Sequence, residues 1–416
     1  MSDSMLANLL CDNPIVVTGA GSFSAAGDSV EALWSAAIAG QSLAVWREFE
    51  LEAKRARFAV CSAPELDGLL SGLLTLRKMD RCVQMAWLAA NQARNQAHLA
   101  NAYSPARVGI IVGSSRGPLG KRAESFGHHG RHKYPPSLSA QNTFACISGA
   151  LAQAFKLKGP GAVVSATCAS AAFAVGLAAE QILLGKADAM IVGGTEAPLH
   201  FAVLAQLHSA GVLGFHEEAP QTCRPFDATR NGTVVGEGSG FLILESARTA
   251  AARGVAACAR LTGWAFSLDD SGRAGVHEDG SGLLQVMQQA LQIAGLAAEQ
   301  IDYINAHGTG TKMNDAGEAC AVKTLLGDRV ATVPCSSTKP VTGHCLGATP
   351  ALEAVLCVEA LRRQQIPPTA NCLQPDPLCP INPLPTKAQP ARLTNVMSNS
   401  LGFWGFHAAL IFSKVR

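Results

Sequence analysis

The sequence predicts an α/β fold made of two comparable halves. Apolar runs typical of buried strands alternate with helical stretches up to about residue 250, and a similar alternation restarts beyond that point. The 416 residues are 48% hydrophobic and only 15% charged, which indicates a large buried core. We therefore expect layered sheets, with the halves covering residues 1–255 and 256–416.

The strand predictions rest on short runs rich in Val and Ile, and the helix predictions on longer runs with helical spacing. The predicted strands cover residues 15–17, 108–112, 163–164, 190–192, 241–244, 259–262, 303–304, about 396, and 408–412. The predicted helices cover residues 29–39, 79–97, 170–184, 283–294, 316–326 and 351–363. A Pro-rich connection, residues 366–390, precedes the last two strands.

Charge and cysteine usage exclude several classes of protein. The net charge is +2, from 33 basic and 31 acidic side chains, and no basic run indicates nucleic-acid binding. The 13 cysteines are scattered without CxxC pairs or zinc-ligand spacing, so we expect neither a disulfide scaffold nor a metal site. The start lacks the pattern of a signal peptide, and we expect a reducing, cytoplasmic location.

Two stretches resemble signals for other functions. Residues 159–179 carry no charge and are long enough to span a membrane, but they read better as a strand and a helix of a soluble core. Residues 15–21 resemble the start of a dinucleotide site, but Ser24 stands where a third glycine belongs. We expect a tight strand-to-helix turn there, no nicotinamide cofactor and no membrane span.

Cys168 is the first candidate for chemistry. It lies in VVSATCASAAFAVG, where a strand gives way to an alanine-rich helix. The start of a helix favours an anion, so we expect a lowered thiol pKa and a larger thiolate fraction. The local sequence leaves two interpretations about equally open, a nucleophile and a buried structural cysteine.

Two distant histidines complete the candidate site. His307 lies in NAHGTGT and His344 in KPVTGHCLGA, each in a Gly/Thr-rich turn after an apolar run. One such histidine is more often structural, but the pair favours a site, with Thr309 and Thr311 offering hydroxyls. The remaining histidines are interpreted as solvated surface, including a cluster with two arginines: Arg122, His128, His129, Arg131 and His132.

Further motifs follow in a fixed order along the chain. They occupy residues 77–81, 158–160, 223–232, 236–240, 305–311, 314–315, 339 and 343–344. Together with Cys168, this order resembles the elongating β-ketoacyl-acyl-carrier-protein synthases of the thiolase-like superfamily, from residue 14 to the end. The resemblance implies the thiolase fold, with two similar βαβαβ halves in five αβαβα layers. It also implies a homodimer, or a heterodimer with a synthase-like subunit.

The resemblance implies a decarboxylative Claisen condensation. Cys168 would carry an acyl group, and the backbone N–H groups of Cys168 and Phe403 would form an oxyanion hole. His307 and His344 would donate hydrogen bonds to the thioester carbonyl of malonyl carrier protein as the enolate forms.

Other residues would support this site by the same resemblance. Lys339 and Glu353 would form an ion pair, Asp315 and Glu318 would order the site, and Thr309 and Thr311 would contact the pantetheine arm. That arm is supplied by the carrier protein, so no cofactor or metal is implied. Carrier proteins are acidic, and the basic docking candidates are Arg77, Lys78, Arg81, Lys121, Arg122 and Arg131.

The sequence departs from the family pattern around the expected oxyanion hole. GFWGFH replaces the usual GFGGTN, so Trp404, Phe406 and His407 stand for glycine, threonine and asparagine. These side chains would contact substrate and reshape the pocket. Three further departures are Phe173 for a frequent histidine, Leu401 for a common phenylalanine, and Thr349-Pro350 for a small pair. We expect a specialised fatty-acid or polyketide substrate.

Three alternative functions stay open at this point. A catalytically weak partner subunit, like a chain-length factor, would lack the nucleophile, whereas Cys168 is present. An ester- or amide-forming acyltransferase would not need both histidines. A thiolase would need a second cysteine near the C-terminus, and residues 402–409 contain none.

Overall fold

The computed structural model describes residues 3–51, 54–127, 134–270, 272, 276–383 and 387–415. Most of the surface cluster expected from the sequence therefore lies outside the described residues: His128, His129, Arg131 and His132. The ends of the predicted helices agree closely with the structure. The helix predicted over residues 170–184, for example, runs from Ser170 to Leu183.

The strands are β1 Ile15–Ser24, β2 Val45–Leu51, β3 Lys54–Cys61, β4 Val108–Gly113, β5 Gly161–Val164, β6 Ala189–Glu196, β7 Val235–Gly236, β8 Gly238–Ser246, β9 Ala259–Leu268, β10 Tyr303–Asn305, β11 Pro334–Ser336, β12 Gln365–Ile366, β13 Asn382–Pro383, β14 Gln389–Pro390, β15 Asn395–Gly402 and β16 Phe406–Ser413.

The α-helices are α1 Asp3–Asp12, α2 Val30–Ala39, α3 Leu74–Arg77, α4 Arg81–Gln96, α5 Leu119–Gly127, α6 Leu138–Gln141, α7 Ala145–Phe155, α8 Ser170–Leu183, α9 Phe201–Ser209, α10 Ala247–Ala252, α11 Ser281–Ala294, α12 Lys312–Leu326, α13 Lys339–Thr342 and α14 Thr349–Arg363.

The main sheet repeats one strand order twice. Its order is β13-β11-β10-β15-β16-β9-β1-β8-β6-β4-β5. Apart from the edge strand β13, each half contributes five strands to this sheet. If these five are numbered along the chain, both halves have the order first, fifth, fourth, second, third: β1-β8-β6-β4-β5 and β9-β16-β15-β10-β11. Each half has parallel central strands and an antiparallel fifth strand, and β1 and β9 join the halves as antiparallel neighbours. The sequence pattern that restarts beyond residue 250 is therefore a structural repeat.

The helices complete five layers. In the middle, α8 and α14 pack on each other and contact strands of both half-sheets. One outer layer places α4 and α7 on the first half, and the other places α11 on the second half with α12 packed beside it. The helices α8 and α14 each follow the third strand of their half. The middle layer therefore brings the turns before these two helices to the same region of the molecule.

The glycines near the N-terminus correct one expectation. Residues 15–24 form the single strand β1, so the predicted strand-to-helix turn is wrong. A Cβ on Gly19 would lie 2.2 Å from the carbonyl oxygen of Ala93, and one on Gly21 would lie 1.9 Å from that of Ala89. These glycines therefore let α4 pack directly on the sheet, which is the role of a close-approach glycine.

The charge-free stretch forms two elements, as expected from its composition. Residues 161–164 are the edge strand β5, and α8 follows after a short turn. The alanines of α8 are almost all buried between the half-sheets, which explains their lack of charge. In the part of the chain that the structure describes, no helix has both the length and the apolar character to cross a bilayer.

Candidate active site

One cavity of about 940 Å³ brings together the main residues that the sequence singled out. It lies where turns from both halves converge, and its opening is flanked by exposed Trp404 and Met313. The predicted site residues that line it are Cys168, His307, Thr309, Thr311, His344, Phe403 and Trp404. The cavity thus holds a thiol, two imidazoles and two hydroxyls on largely apolar walls.

The turn before α8 presents Cys168 to the cavity. Thr167 has φ +49°, a left-handed conformation that is strained for a β-branched residue. The Ser170 hydroxyl holds this turn, because it accepts from the N–H of Ala166 at 2.9 Å and donates to the carbonyl of Thr167 at 2.6 Å. Cys168 therefore projects from a fixed turn just before the helix begins.

The pKa of the Cys168 thiol is raised, whereas the sequence predicted a lowered pKa. Burial raises it to about 11, although the cations Lys339 and Arg116 and the backbone N–H of Phe403 act in the opposite direction. The expectation of a lowered thiol pKa is wrong, because the desolvation of a thiolate in this packed site exceeds these favourable contacts. The thiol is the resting form at neutral pH.

The C-terminal turn packs directly against the cysteine turn. A Cβ on Gly402 would lie 2.0 Å from the hydroxyl oxygen of Thr167, so only glycine fits there. The Thr167 hydroxyl donates to the carbonyl oxygen of Phe403 at 3.2 Å, and the N–H of Phe403 hydrogen-bonds the Cys168 sulfur. A backbone donor thus lies beside the sulfur, where it can reach the carbonyl oxygen of a group bound to Cys168, as an oxyanion hole requires.

His307 is positioned by a buried carboxylate. It follows β10, and Glu318 on α12 accepts from the backbone N–H groups of His307 and Gly308, each at 2.8 Å. Burial raises the pKa of Glu318 to about 7, against the opposing effect of these two donors. The imidazole Nδ1 has no hydrogen-bond partner within the described residues. The ring is therefore fixed through its backbone rather than through its own nitrogen.

His344 faces His307 across the cavity. The ring centroids lie 5.3 Å apart with the planes at 84°. Nδ1 of His344 hydrogen-bonds the hydroxyl of Thr349 at 3.0 Å, which leaves Nε2 toward the cavity. Burial first, and then the charge of Lys339, hold the pKa of both imidazoles well below its usual value. Both rings are neutral at physiological pH, and a neutral imidazole still has one N–H to donate.

Lys339 and Glu353 form a fully buried ion pair behind the histidines. Nζ of Lys339 lies 2.7 Å from Oε1 of Glu353, and neither residue lines the cavity. Burial raises the pKa of Glu353 to about 7, while Lys339 lowers it. The pair joins α13 to α14, the two helices that flank His344, and so fixes the turn between them.

Asp315 also lies behind the cavity. Its carboxylate accepts from the backbone N–H groups of Phe226 and Gly310, and Arg230 lies 3.6 Å away. These contacts tie the turn after β10 to the start of α12. That turn presents the hydroxyls of Thr309 and Thr311, which lie 2.9 Å apart on the cavity wall.

The replaced C-terminal residues have separate surroundings. Trp404 is 58% exposed at the opening and has φ +65°, a conformation that suits the glycine of the family pattern. Phe406 packs edge-on against Phe173 at 5.8 Å, and His407 Nε2 lies 2.5 Å from a carboxylate oxygen of Asp269. Neither Phe406 nor His407 lines the cavity, contrary to the expectation of direct substrate contact.

The other departures are accommodated by local packing. Phe173 stacks on Phe266 with ring centroids 4.5 Å apart, so two of the unusual residues, Phe173 and Phe406, belong to one aromatic cluster. Pro350 lies in the first turn of α14, where no backbone N–H is needed, as expected. Leu401 lines the cavity.

Sequence reasoning missed three residues of this region. Arg116 lines the cavity, Glu196 holds the turn that carries it, and Asp269 contacts His407. The available signal for Arg116 was its position directly after a buried strand, where side chains at the carboxyl end of parallel strands converge. Glu196 carried the same signal, since it is the last residue of the buried strand β6, which lies parallel to β4.

The basic docking candidates differ in how far their side chains are exposed. Arg77 and Lys78 are exposed, and Lys121 lies on the same face, because its backbone N–H donates to Asp80 at 2.9 Å. Arg122 is half-buried over the ring of Phe144. Arg81 instead points inward and pairs with the buried Glu237 at 2.8 Å, so we drop it from the candidates.

Comparisons with known proteins find one family along most of the chain. Residues 12–250 match the family model for the N-terminal domain of β-ketoacyl synthase, and residues 258–373 match that for its C-terminal domain. A 3-oxoacyl-[acyl-carrier-protein] synthase 2 of Staphylococcus aureus (strain COL) is 32% identical, over 96% of this chain and 98% of that protein. Nodulation protein E of Rhizobium sp. (strain N33) is 35% identical, over 97% of this chain and 100% of that protein.

A solved structure shows the same fold. The ishigamide ketosynthase/chain length factor superposes with a TM-score of 0.88 at 30% identity, over 97% of this chain and 100% of that one. The doubled, layered α/β architecture expected from the sequence is thereby confirmed as that of the ketosynthases. From the matched domains and the extent of these likenesses, the chain belongs to the β-ketoacyl synthase family.

Proposed function

We propose that this protein condenses an acyl group, carried on Cys168, with malonyl-acyl carrier protein, and that the product is a β-ketoacyl-acyl carrier protein. The observation that carries the proposal is that one thiol and two neutral imidazoles line the same cavity. A thiol can hold the acyl group covalently, and paired N–H donors can stabilise the enolate that decarboxylation produces.

In the first stage, Cys168 takes the acyl group from its carrier. The sulfur loses its proton and attacks the thioester carbonyl carbon, a new C–S bond forms, and the carrier thiol leaves with a proton. The N–H of Phe403, which already hydrogen-bonds the sulfur, and the N–H of Cys168 would receive the carbonyl oxygen. The nearby cations oppose the raised pKa of the thiol and so assist its ionisation.

In the second stage, malonyl carrier protein replaces the first carrier. The bond between its carboxylate and the α-carbon breaks, carbon dioxide leaves, and the electron pair forms an enolate. His307 and His344 would donate their Nε2 hydrogens to the enolate oxygen. The contact between Nδ1 of His344 and Thr349 supports this assignment, because it leaves Nε2 free for the substrate.

The carbanion then attacks the acyl-Cys168 carbonyl. A carbon–carbon bond forms, the C–S bond to Cys168 breaks, and the sulfur leaves as a thiolate that takes a proton from solvent to regain its resting form. Lys339, Glu353, Asp315 and Glu318 act as positioning residues, since their contacts hold the turns that carry the imidazoles and hydroxyls. We assign the same supporting role to Phe406 and His407, and only Trp404 of the C-terminal replacements faces the substrate.

The carrier protein supplies the phosphopantetheine arm. Thr309 and Thr311 are suited to it, because their hydroxyls lie on the wall near the opening. The exposed Arg77 and Lys78 suit an acidic carrier, whereas Lys121 beside them is half-buried and already paired with Glu124 at 2.7 Å. We retain the division into residues 1–255 and 256–416, and we propose a dimer of two copies or of this chain with a synthase-like subunit.

A catalytically weak partner subunit is the second candidate function. The ishigamide structure, whose description includes a chain length factor, has the same fold as this chain. The strained Trp404 at the opening is the feature that favours this alternative, since it places an indole on the cavity wall where the family pattern has glycine. Retention of the thiol and both imidazoles in one cavity favours the condensing enzyme.

Intact-mass spectrometry tests the proposal. The protein is incubated with malonyl carrier protein and a panel of acyl carrier proteins, and both the enzyme and the carrier products are weighed. We expect an acyl adduct on wild type, none on Cys168→Ala, and a β-ketoacyl carrier product. Cys146→Ala is a matched control, because burial also raises the pKa of that thiol to about 11 but it lies outside the cavity. An enzyme that no donor acylates would support the partner subunit instead.

A further inference from the structure

Arg116 introduces a cation into the active-site cavity. It follows β4 in the turn that lines the cavity beside Ser115 and Cys168. Among the cavity-lining residues, all of which lie in the described part of the chain, Arg116 and Lys312 are cationic and none is acidic. Lys312 is exposed at the opening, whereas Arg116 is half-buried. The interior of the cavity therefore has one guanidinium on otherwise largely apolar walls.

This guanidinium has no partner within the described residues. The hydrogen bond found for Arg116 is made by its backbone N–H, and no ion pair involves its side chain. The more deeply buried Arg230 and Arg253, in contrast, each contact a carboxylate, of Asp315 and Glu245 respectively. A guanidinium carries five N–H donors, and a bound group that excluded water without accepting from them would leave them unpaired at a cost. The donors of Arg116 are therefore available to an oxygen acceptor on a group bound in the cavity.

The turn that carries Arg116 is rigidly built. The fully buried carboxylate of Glu196 accepts from the backbone N–H groups of Ser115 at 2.7 Å and Arg116 at 2.9 Å. It also accepts from the hydroxyls of Ser114 at 3.0 Å and Ser115 at 2.6 Å, and from the N–H of Gly347 at 3.2 Å. Because these donors occupy the carboxylate, it forms no ion pair with the Arg116 side chain.

The position of Arg116 favours the acyl side of the site. Its charge acts on the Cys168 thiol, whereas Lys339 is the cation that acts on His307 and His344. The malonyl carboxylate would lie near the imidazoles. An ion pair there would stabilise the carboxylate before decarboxylation, and so would oppose the loss of carbon dioxide. The group on Cys168 is therefore the better partner for the guanidinium.

We propose that Arg116 is a specificity-determining residue that selects acyl groups with an oxygen acceptor, a terminal carboxylate or a chain ketone. The inference rests on the proposed function and names its substrate class. A carboxylate satisfies the guanidinium bidentately, and a ketone accepts one charge-assisted hydrogen bond. A saturated hydrocarbon chain leaves the donors unpaired beside apolar surface, so it is the disfavoured donor.

The test measures the rate of acyl-enzyme formation on the full-length protein by intact mass. The donors are three carrier thioesters of matched length: octanoyl, 3-oxo-octanoyl and 7-carboxyheptanoyl. We expect wild type to prefer an oxygenated donor over octanoyl by about ten- to hundredfold, the size of a charge-assisted hydrogen bond. Arg116→Met should lose this preference, and Arg116→Lys should keep part of it for the carboxylate donor.

Controls separate the possible outcomes. Lys312→Met removes the other cavity cation, and we expect it to change the preference by less than about threefold, as for an exposed charge. Equal rates for all three donors on wild type would overturn the inference while leaving the condensing function intact. A defect of Arg116→Met in malonyl decarboxylation, with the acyl preference kept, would assign the guanidinium to malonyl instead. No acylation by any donor would overturn the proposed function itself.

Discussion

After the second strand of each half, the chain makes a turn whose backbone N–H groups bind one buried glutamate. In the first half Glu196 accepts from Ser115 and Arg116, and in the second half Glu318 accepts from His307 and Gly308. Both turns line the same cavity. The turns after equivalent strands therefore present a guanidinium from one half, Arg116, and an imidazole from the other, His307.

The turns after the third strands differ in the same way. In the first half this turn presents the partly exposed Cys168, and in the second half it holds the buried Lys339 and then His344. The repeated strand order thus gives both halves the same arrangement of strands and turns, but the two halves carry different side chains on these turns. In the proposed mechanism, the first half carries the acyl group on Cys168, and the second half provides both imidazoles and the N–H of Phe403.

Lys339→Met is expected to have the largest effect on this arrangement. It leaves Glu353 as an unpaired carboxylate in the core, which costs about 3–5 kcal/mol of unfolding free energy. Chemical denaturation measures the loss. The double variant Lys339→Met/Glu353→Leu should recover most of the stability but not the decarboxylation activity. Equal stability of wild type and Lys339→Met would contradict the buried pair.

His307→Ala and His344→Ala should separate the two halves functionally. Each variant removes a donor to the enolate, so decarboxylation of malonyl carrier protein should fall about hundred- to thousandfold. Acylation of Cys168, followed by intact mass, should change far less. If either variant decarboxylated at the wild-type rate, the enolate role of that histidine would be wrong.

Replacing Glu196 and Glu318, the glutamates that accept hydrogen bonds from the two turns, compares the halves directly. Glutamine keeps one acceptor oxygen but places an NH₂ group against the second backbone N–H, so one hydrogen bond to each turn is lost. We expect Glu318→Gln to reduce decarboxylation about tenfold and Glu196→Gln to reduce the preference among acyl donors about tenfold. The same defect in both variants would show that the turns do not act separately.

The smallest expected effect is a difference in pH dependence between acylation and decarboxylation. The pKa of Cys168 is raised to about 11, so the thiolate fraction increases with pH, and the acylation rate should rise up to about tenfold per pH unit from about pH 7.5 to 9.5. The pKa of both imidazoles lies well below its usual value, so both are already neutral throughout this range. Decarboxylation by Cys168→Ala should therefore stay nearly constant. If acylation and decarboxylation depended on pH in the same way, the assignment of the two steps to different residues would be wrong.

The sequence predicted most of the fold and the residues at the centre of the site. Buried strands and the helix after Cys168 are encoded by local apolar patterns, and the turns with His307 and His344 are encoded by glycine and threonine. The raised pKa of Cys168 was not predictable, because desolvation depends on how several distant segments pack around the thiol.

Long-range contacts also explain the errors around the C-terminal turn. Phe406 and His407 were expected beside the substrate because they are large residues in a motif. They instead contact Phe173 and Asp269, residues that lie far away in the sequence. Arg116 was overlooked for the opposite reason, since one charged residue in a loop is ordinary until the cavity around it is known.

The most direct test of the central claim measures both stages in Cys168→Ala. We predict that the variant forms no acyl-enzyme and no β-ketoacyl product, yet still releases carbon dioxide from malonyl carrier protein because His307 and His344 are intact. Mass spectrometry of enzyme and carrier, with carbon dioxide release in the same sample, gives both readouts. An acyl adduct on the variant, or the same condensation rate as wild type, would contradict the assignment of Cys168 as the acyl carrier.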